Sequence, residues 1–290
     1  MRVFVTGASG FIGSGVVSEL ISAGHQVLGL ARSEASAAVI AATGAAVHRG
    51  DLDDLESLKA GATATDGVIH LGYNHDFSQP LAAVQTDLHA IETLGTALKG
   101  SDRPLLIASG VLGRTNEKVI LDPSSHPRVV NAQTALGFAF QGVRSMVMGF
   151  APTVHGKGDH GFMAALIRIA RAKGVSGYIN DGKNHWPAVH RLDAARLCRL
   201  ALEKAPAASV LHAVAEEGVT IHSIAEVIGR HLNLPTVSIS SDQASEHFGF
   251  LSRFLATDSQ TSSAVTRELL DWQPTNVGLI DDLEQGHYFA

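Results

Sequence analysis

Val3-Phe4-Val5-Thr6-Gly7-Ala8-Ser9-Gly10-Phe11-Ile12-Gly13 is a short apolar run that breaks into three glycines spaced three apart. From Phe11 to Ala23 the apolar positions recur at helical spacing, so the stretch reads as strand, glycine turn and helix. Such a turn suits a pyrophosphate. Residues without bulk let the backbone approach the ligand, and the free amides and dipole at the helix start meet its negative charge. Gly7, Ser9, Gly10, Phe11, Ile12 and Gly13 are therefore candidate cofactor-binding residues.

Downstream, apolar runs alternate with helical patterns, the signature of a parallel sheet with crossover helices. Strands are expected at 2–5, 26–31, 46–49, 67–71, 104–108 and 143–150, and helices at 11–23, 33–43, 54–60, 79–99 and 127–141. Ser33 and Asp53 suit N-caps, and Gly24, Gly44 and Gly61 fall where helices should stop. Six such units make a doubly wound α/β sheet. After residue 151 the rhythm changes. Helices are expected at 161–172, 193–205, 219–232 and 278–289, a strand at 210–214, and a Gly- and polar-rich stretch at 174–186. The chain thus divides into a dinucleotide-binding part, 1–151, to which part of 186–214 returns, and a smaller, mainly substrate-binding part, 152–290. The second part should pack over the carboxyl edge of the sheet, where open α/β sheets bind ligands.

A hydrophobic fraction of 45% with 17% charged residues describes a packed chain rather than a disordered one. A formal charge of -6 argues against sequence-independent binding to nucleic acid. No apolar run reaches the roughly 18 residues that cross a bilayer. Met1-Arg2 is not followed by the apolar core of a signal peptide. The one cysteine, Cys198, lies in an apolar helical stripe and reads as a small buried hydrophobe, which fits a reducing cytoplasm. There are 15 histidines, but His185 and His190 flank a proline, His155 and His160 flank glycines, and no HExxH occurs. No metal site is expected.

The second strand ends in Ala31-Arg32-Ser33, about where a dinucleotide fold contacts the adenosine ribose. An acid there would hydrogen-bond the ribose hydroxyls. Arg32 and Ser33 suit a 2′-phosphate instead, through charge-assisted hydrogen bonds, so NADP(H) is expected over NAD(H).

TGASGFIG, Asp51-Leu52 after the third strand, Val68-Ile-His-Leu-Gly72 and Leu106-Ile-Ala-Ser109 together resemble the short-chain dehydrogenase/reductase superfamily. Within it the chain is similar to the extended or atypical NAD-dependent epimerase/dehydratase-like branch. The likeness runs late into the chain through Trp186-Pro-Ala-Val-His-Arg-Leu-Asp-Ala-Ala195. It implies a Rossmann sheet, Asp51 near the adenine amine, Leu52 beside the adenine ring, and Leu71 and Gly72 lining the cofactor. Asp193 in the late segment is expected to cap its helix. Related proteins are often dimers, so a homodimer is implied.

The resemblance also implies a substrate-contacting serine, which Ser109 fits, and a Tyr followed four residues later by a Lys. In that pair the ammonium and the oxidised nicotinamide lower the phenol pKa, and the spacing puts both on one helix face. The pair is absent here. Aligning the fifth helix through 126–135 puts Asn131 and Ala135 at its two positions, and neither transfers a proton at neutral pH. The loop after the fourth strand offers Tyr73 and His75 as replacement acids, against an ordinary polar turn. His155 and His160 fall in a segment that lines the substrate pocket in the superfamily. Trp186 is either a pocket wall or a core aromatic.

The expected function is hydride transfer between NADP(H) and a carbonyl or alcohol of a small organic substrate, with Ser109 polarising the oxygen. Two alternatives stay open: a nucleotide-sugar epimerase or dehydratase, and a dinucleotide sensor that has kept the cradle and lost the acid/base pair.

Overall fold

The computed structural model describes residues 1–74, 79–110 and 128–290. The apolar runs of the first half form β1 (Arg2–Thr6), β2 (Gln26–Ala31), β3 (Ala46–Arg49), β4 (Gly67–His70), β5 (Pro104–Gly110) and β6 (Arg144–Phe150). Between them lie α1 (Phe11–Ser22), α2 (Glu34–Ala42), α3 (Leu55–Thr63), α4 (Pro80–Leu98) and α5 (Arg128–Gly137). The second half adds β7 (Thr153–His155), α6 (Phe162–Lys173), β8 (Ser176–Ile179), β9 (His185–His190), α7 (Arg191–Lys204) and β10 (Ser209–Ala213). Then come β11 (Glu216–Thr220), α8 (Ile221–Leu232), β12 (Thr236–Ile239), α9 (Ser241–Phe248), α10 (Ser252–Leu255), α11 (Ala264–Leu270) and α12 (Leu279–Glu284).

Seven parallel strands form the main sheet in the order β10-β6-β5-β4-β1-β2-β3. Helices cover both faces, which is why Val3, Phe4 and Val5 are all buried and the strand reads as a continuous apolar run rather than an alternating one. The strand order reverses between β1 and β4, and the carboxyl ends at that point form the crevice of a doubly wound sheet. β10 returns to the sheet edge and α7 packs on α1, where a Cβ on Gly15 would lie 3.6 Å from the Ala195 Cβ. The second half otherwise has its own core, which includes Met163, Ile167, Trp186, Ile221, Ile224, Leu251 and Leu279.

Local details depart from the sequence reading where side-chain partners decide them. Ser33 caps α2, accepting from Ser36 N–H. α3, however, is capped by Asp54, not Asp53, because the Asp54 carboxylate accepts from Ser57 N–H while Asp53 accepts from the Thr86 hydroxyl. Gly61 does not end α3. It lies inside the helix, where a Cβ would meet the Phe4 ring at 2.5 Å. The Gly-rich stretch 174–186 contains β8 and the start of β9. The last helix stops at Glu284, short of the expected 289, and Gly286 turns the chain with φ +80°. Asp193 does not cap α7; His190 does, through Leu192 N–H. Asp193 instead accepts from Thr275 N–H at 2.9 Å and Asn276 N–H at 3.0 Å, tying the C-terminal segment to the helix. Cys198 is fully buried, and burial pushes its thiol up to about 12.

Candidate active site

The cradle forms as its glycines require. Gly7 has φ +66°, and a Cβ there would lie 2.8 Å from Gly72 N at the end of β4. A Cβ on Gly13 would lie 1.9 Å from Gly7 O, so the first turn of α1 can approach the strand only without a side chain. Gly10 at the N-cap of α1 offers no side chain to cap it, and α4, α6 and α12 also lack a side-chain cap. With the glycines that let the backbone come close, the first amides of α1 fit a pyrophosphate. Ser9 and Phe11 are half-buried beside them, and Ile12 packs into the main core.

Around this cradle stand the other cofactor candidates. Arg32 is exposed at the end of β2. Ser33 is also exposed, but its hydroxyl is engaged in the α2 cap. Asp51 and Leu52 follow β3, and a Cβ on Gly72 would meet Leu52 Cδ2 at 3.0 Å, so Leu52 borders the end of β4. Leu71 N–H donates to Thr6 O at 3.3 Å, which holds Leu71-Gly72 against β1. These residues fit a nicotinamide dinucleotide: a glycine cradle at a helix start and an apolar wall next to it.

Asn131 and Ala135 lie on the buried face of α5, at 2% and 0% exposure. Asn131 is part of a buried polar chain that the sequence reading missed. Thr6 Oγ1 accepts from Gly72 N–H at 3.0 Å and bonds His70 Nδ1 at 2.7 Å. His70 Nε2 donates to Asp87 Oδ1 at 3.2 Å, and Asn131 Nδ2 donates to Asp87 Oδ2 at 2.6 Å and Val84 O at 3.0 Å. Burial opposes the ionised form of Asp87. The hydrogen bonds from His70 and Asn131 and the Arg128 charge outweigh it and hold the carboxyl below its ordinary value. Asn131 Oδ1 is buried with no hydrogen-bond partner among the described residues. Two signals for this chain were present in the sequence. His70 interrupts an apolar strand, and Asp87 shares the helical stripe of Ala83, Ala90, Ile91 and Leu94.

Ser109 is half-buried at the carboxyl end of β5, and Tyr73 is half-buried three residues beyond β4, the neighbouring strand. Arg128, at the start of α5, touches both strand ends. Its guanidinium lies 4.1 Å from the Tyr73 ring centroid, and Nη2 donates to Ala108 O at 3.0 Å. Burial raises the Tyr73 phenol above its ordinary value, Arg128 counters this, and Asp87 adds to it. His75 lies outside the described residues.

The segment after β6 divides. His160 is exposed, with its ring 6.0 Å from that of Phe11, so it borders the start of α1. Arg191 lies on the same ring, 5.0 Å from the centroid, and brings a cation to that helix start. His155 is placed differently from the substrate-facing reading. It is fully buried and its Nδ1 donates to Asp282 Oδ2 at 3.0 Å, while His287 Nε2 donates to Asp282 Oδ1 at 3.0 Å. Trp186 is a core aromatic, at 1% exposure, with its indole N–H on Phe254 O. Beside this C-terminal lock, Lys157, His190, Asn276, Asp282 and His287 border an open cleft of about 530 Å³. Among the described residues no cluster of His, Cys, Asp and Glu has the arrangement of a metal site, and no helix is long and apolar enough to cross a membrane.

Fold and cradle together define a doubly wound dinucleotide-binding protein. The chain belongs to the NAD dependent epimerase/dehydratase family, whose model matches residues 3–213. It is 50% identical over 297 residues to an uncharacterized protein of Schizosaccharomyces pombe, covering 100% of both chains. It is 27% identical over 242 residues to the decarboxylating sterol-4-alpha-carboxylate 3-dehydrogenase of Dictyostelium discoideum, covering 75% of this chain and 72% of that one. Among solved structures, the UDP-glucose 4-epimerase of Thermus thermophilus in complex with NAD superposes with a TM-score of 0.74 at 19% identity, covering 99% of each chain.

Proposed function

We propose that this protein is an NADP(H)-dependent oxidoreductase that transfers hydride between the nicotinamide and a carbonyl or alcohol carbon of a small organic molecule. The observation that carries this reading is the meeting of three strand ends. The cradle at β1 abuts Leu71-Gly72 at β4, and Arg128 joins Tyr73 beyond β4 to the end of β5, where Ser109 lies. When bound, the dinucleotide supplies or accepts the hydride. The chain's own residues do the rest. The amides of α1 hold the pyrophosphate, Arg32 pairs a 2′-phosphate, Ser109 donates to the substrate oxygen, and Tyr73 handles its proton. The name of the Dictyostelium relative, a 3-dehydrogenase, supports oxidation of an alcohol.

The buried Asn131 and Ala135 favour a second reading, a dinucleotide sensor without turnover, because neither side chain can relay a proton. They also weigh against a nucleotide-sugar epimerase or dehydratase working through a Tyr-Lys pair. The test is oxidation of NADPH across a panel of aldehydes, ketones and quinones. Oxidation that falls at least tenfold in Ser109→Ala and Tyr73→Phe supports the proposal. Oxidation that is unchanged in both removes the site assignment, and tight NADPH binding with no oxidation establishes the sensor.

A further inference from the structure

Asp87 and Arg128 pair across α4 and α5, Nε to Oδ2 at 3.8 Å, next to Tyr73, the titratable group that borders the strand ends from β4. We propose that Arg128, positioned by Asp87, is the cation that steadies the Tyr73 phenolate, so that Tyr73 and Arg128 form the acid/base unit in place of a Tyr-Lys pair. This rests on the hydride-transfer reading above.

The geometry carries the inference in three parts. First, the guanidinium is fixed rather than free-swinging: Ala108 O takes one N–H, the Asp87 carboxylate lies beside Nε, and its carbon sits 4.1 Å over the Tyr73 ring. Arg remains charged at any pH the fold survives, so the cation is permanent. Second, a cation over a ring favours phenolate over phenol, since deprotonation adds electron density to the face it covers. Third, Asp87 is itself pinned by His70 from β4 and Asn131 from α5, so its carboxylate holds Arg128 from a fixed position. Asn131, at the position where the resemblance places a tyrosine, thereby acts as a positioning residue two contacts away.

Among the described residues, the charged or titratable groups around Tyr73 are Arg128 from α5, Asp87 from α4, and His70 behind Asp87. Burial and Asp87 favour the phenol, and Arg128 favours the phenolate. The resting group is therefore a protonated acid. In the reductive direction, a bound reduced dinucleotide would supply hydride to the carbonyl carbon, and the C=O π pair would move onto oxygen. The Tyr73 O–H bond breaks to give that oxygen its proton, and the phenolate left behind faces Arg128 until it regains a proton from water. The oxidative direction reverses each step.

The test reads the phenol directly and needs no substrate. 3,5-Difluorotyrosine placed at position 73 lowers the phenol into a range the fold tolerates, and 19F NMR follows its titration in the full-length protein. Arg128→Met should raise the midpoint by about one pH unit or more, the size expected for losing an opposite charge within contact distance. Arg128→Lys should restore at least half of that shift. A midpoint that is the same with Arg, Lys and Met overturns the pairing. Should Arg128→Met fail to fold, Arg128→Gln against Arg128→Lys makes the same comparison of neutral and charged side chains. A shifted midpoint without turnover would keep the pair and remove the hydride-transfer reading. Turnover with an unshifted midpoint would remove the pair alone.

Discussion

Replacing Asp87 is the sharpest perturbation of the buried chain. In Asp87→Ala, His70 and Asn131 each lose the acceptor they bond at 3.2 and 2.6 Å, and Arg128 loses the carboxylate at 3.8 Å. Removing one partner of a buried charged pair costs about 3–5 kcal/mol. The Arg128 side chain keeps 19% exposure and so recovers some hydration, which places the expected loss near the lower end, about 3 kcal/mol. That is a large share of a typical stability of about 5–15 kcal/mol. Asp87→Asn keeps the shape. Its amide oxygen can accept from Asn131 and its NH2 can face His70, whose ring can then switch tautomer and donate to Thr6. The expected loss is about 1–2 kcal/mol, one weakened charge-assisted bond. The pH dependence has a definite sign. The folded carboxyl lies below its ordinary 3.8, so its stabilisation is complete above that value and is lost as pH falls through the folded one. Urea denaturation followed by circular dichroism at neutral pH and at successively lower pH checks both points. The gap between wild type and Asp87→Asn should close on acidification. An Asp87→Ala loss below about 1 kcal/mol, or a gap that widens in acid, would refute the reasoning.

Other consequences are more local. Gly13→Ala puts a Cβ 1.9 Å from Gly7 O, so the α1 turn must move off the strand; NADPH affinity measured by fluorescence titration should fall at least tenfold. Arg32→Ala should weaken NADPH by about tenfold, the loss of one charge-assisted phosphate contact, and leave NADH unchanged. No preference for NADPH in the wild type would remove the 2′-phosphate assignment. Gly61→Ala forces a methyl into the Phe4 ring at 2.5 Å and should lower the urea-derived stability by about 1–3 kcal/mol without altering cofactor affinity.

The parallel sheet was legible because its central strands are apolar runs bounded by glycine or a polar turn, and buried strands need no alternation. The cradle was legible because its glycines follow a strand and open a helix. Helix starts were less so: Asp53 and Asp54 are adjacent acids, and only the hydrogen bond to Ser57 decides between them. The same holds for His190 and Asp193, where the acid is claimed by backbone amides more than 80 residues further along the chain. The polar chain under the site was hidden for a related reason. Its members, Thr6, His70, Asp87 and Asn131, come from four separate elements, and only the strand order brings them together. Arg128 was overlooked because the Tyr73 ring, the Ala108 carbonyl and the Asp87 carboxylate that it meets come from three separate segments. The burial of His155 was hidden because its partner, Asp282, lies in the last helix.

The central claim is that the cradle delivers a nicotinamide dinucleotide to a working hydride-transfer site that lacks the Tyr-Lys pair. Incubation with NADPH carrying deuterium at C4 and a panel of carbonyl compounds, read by mass spectrometry of the products, tests it most directly. Deuterium on the former carbonyl carbon of a product, formed at least tenfold more slowly by Tyr73→Phe, is the result predicted. NADPH bound tightly with no label leaving C4 for any acceptor would contradict it.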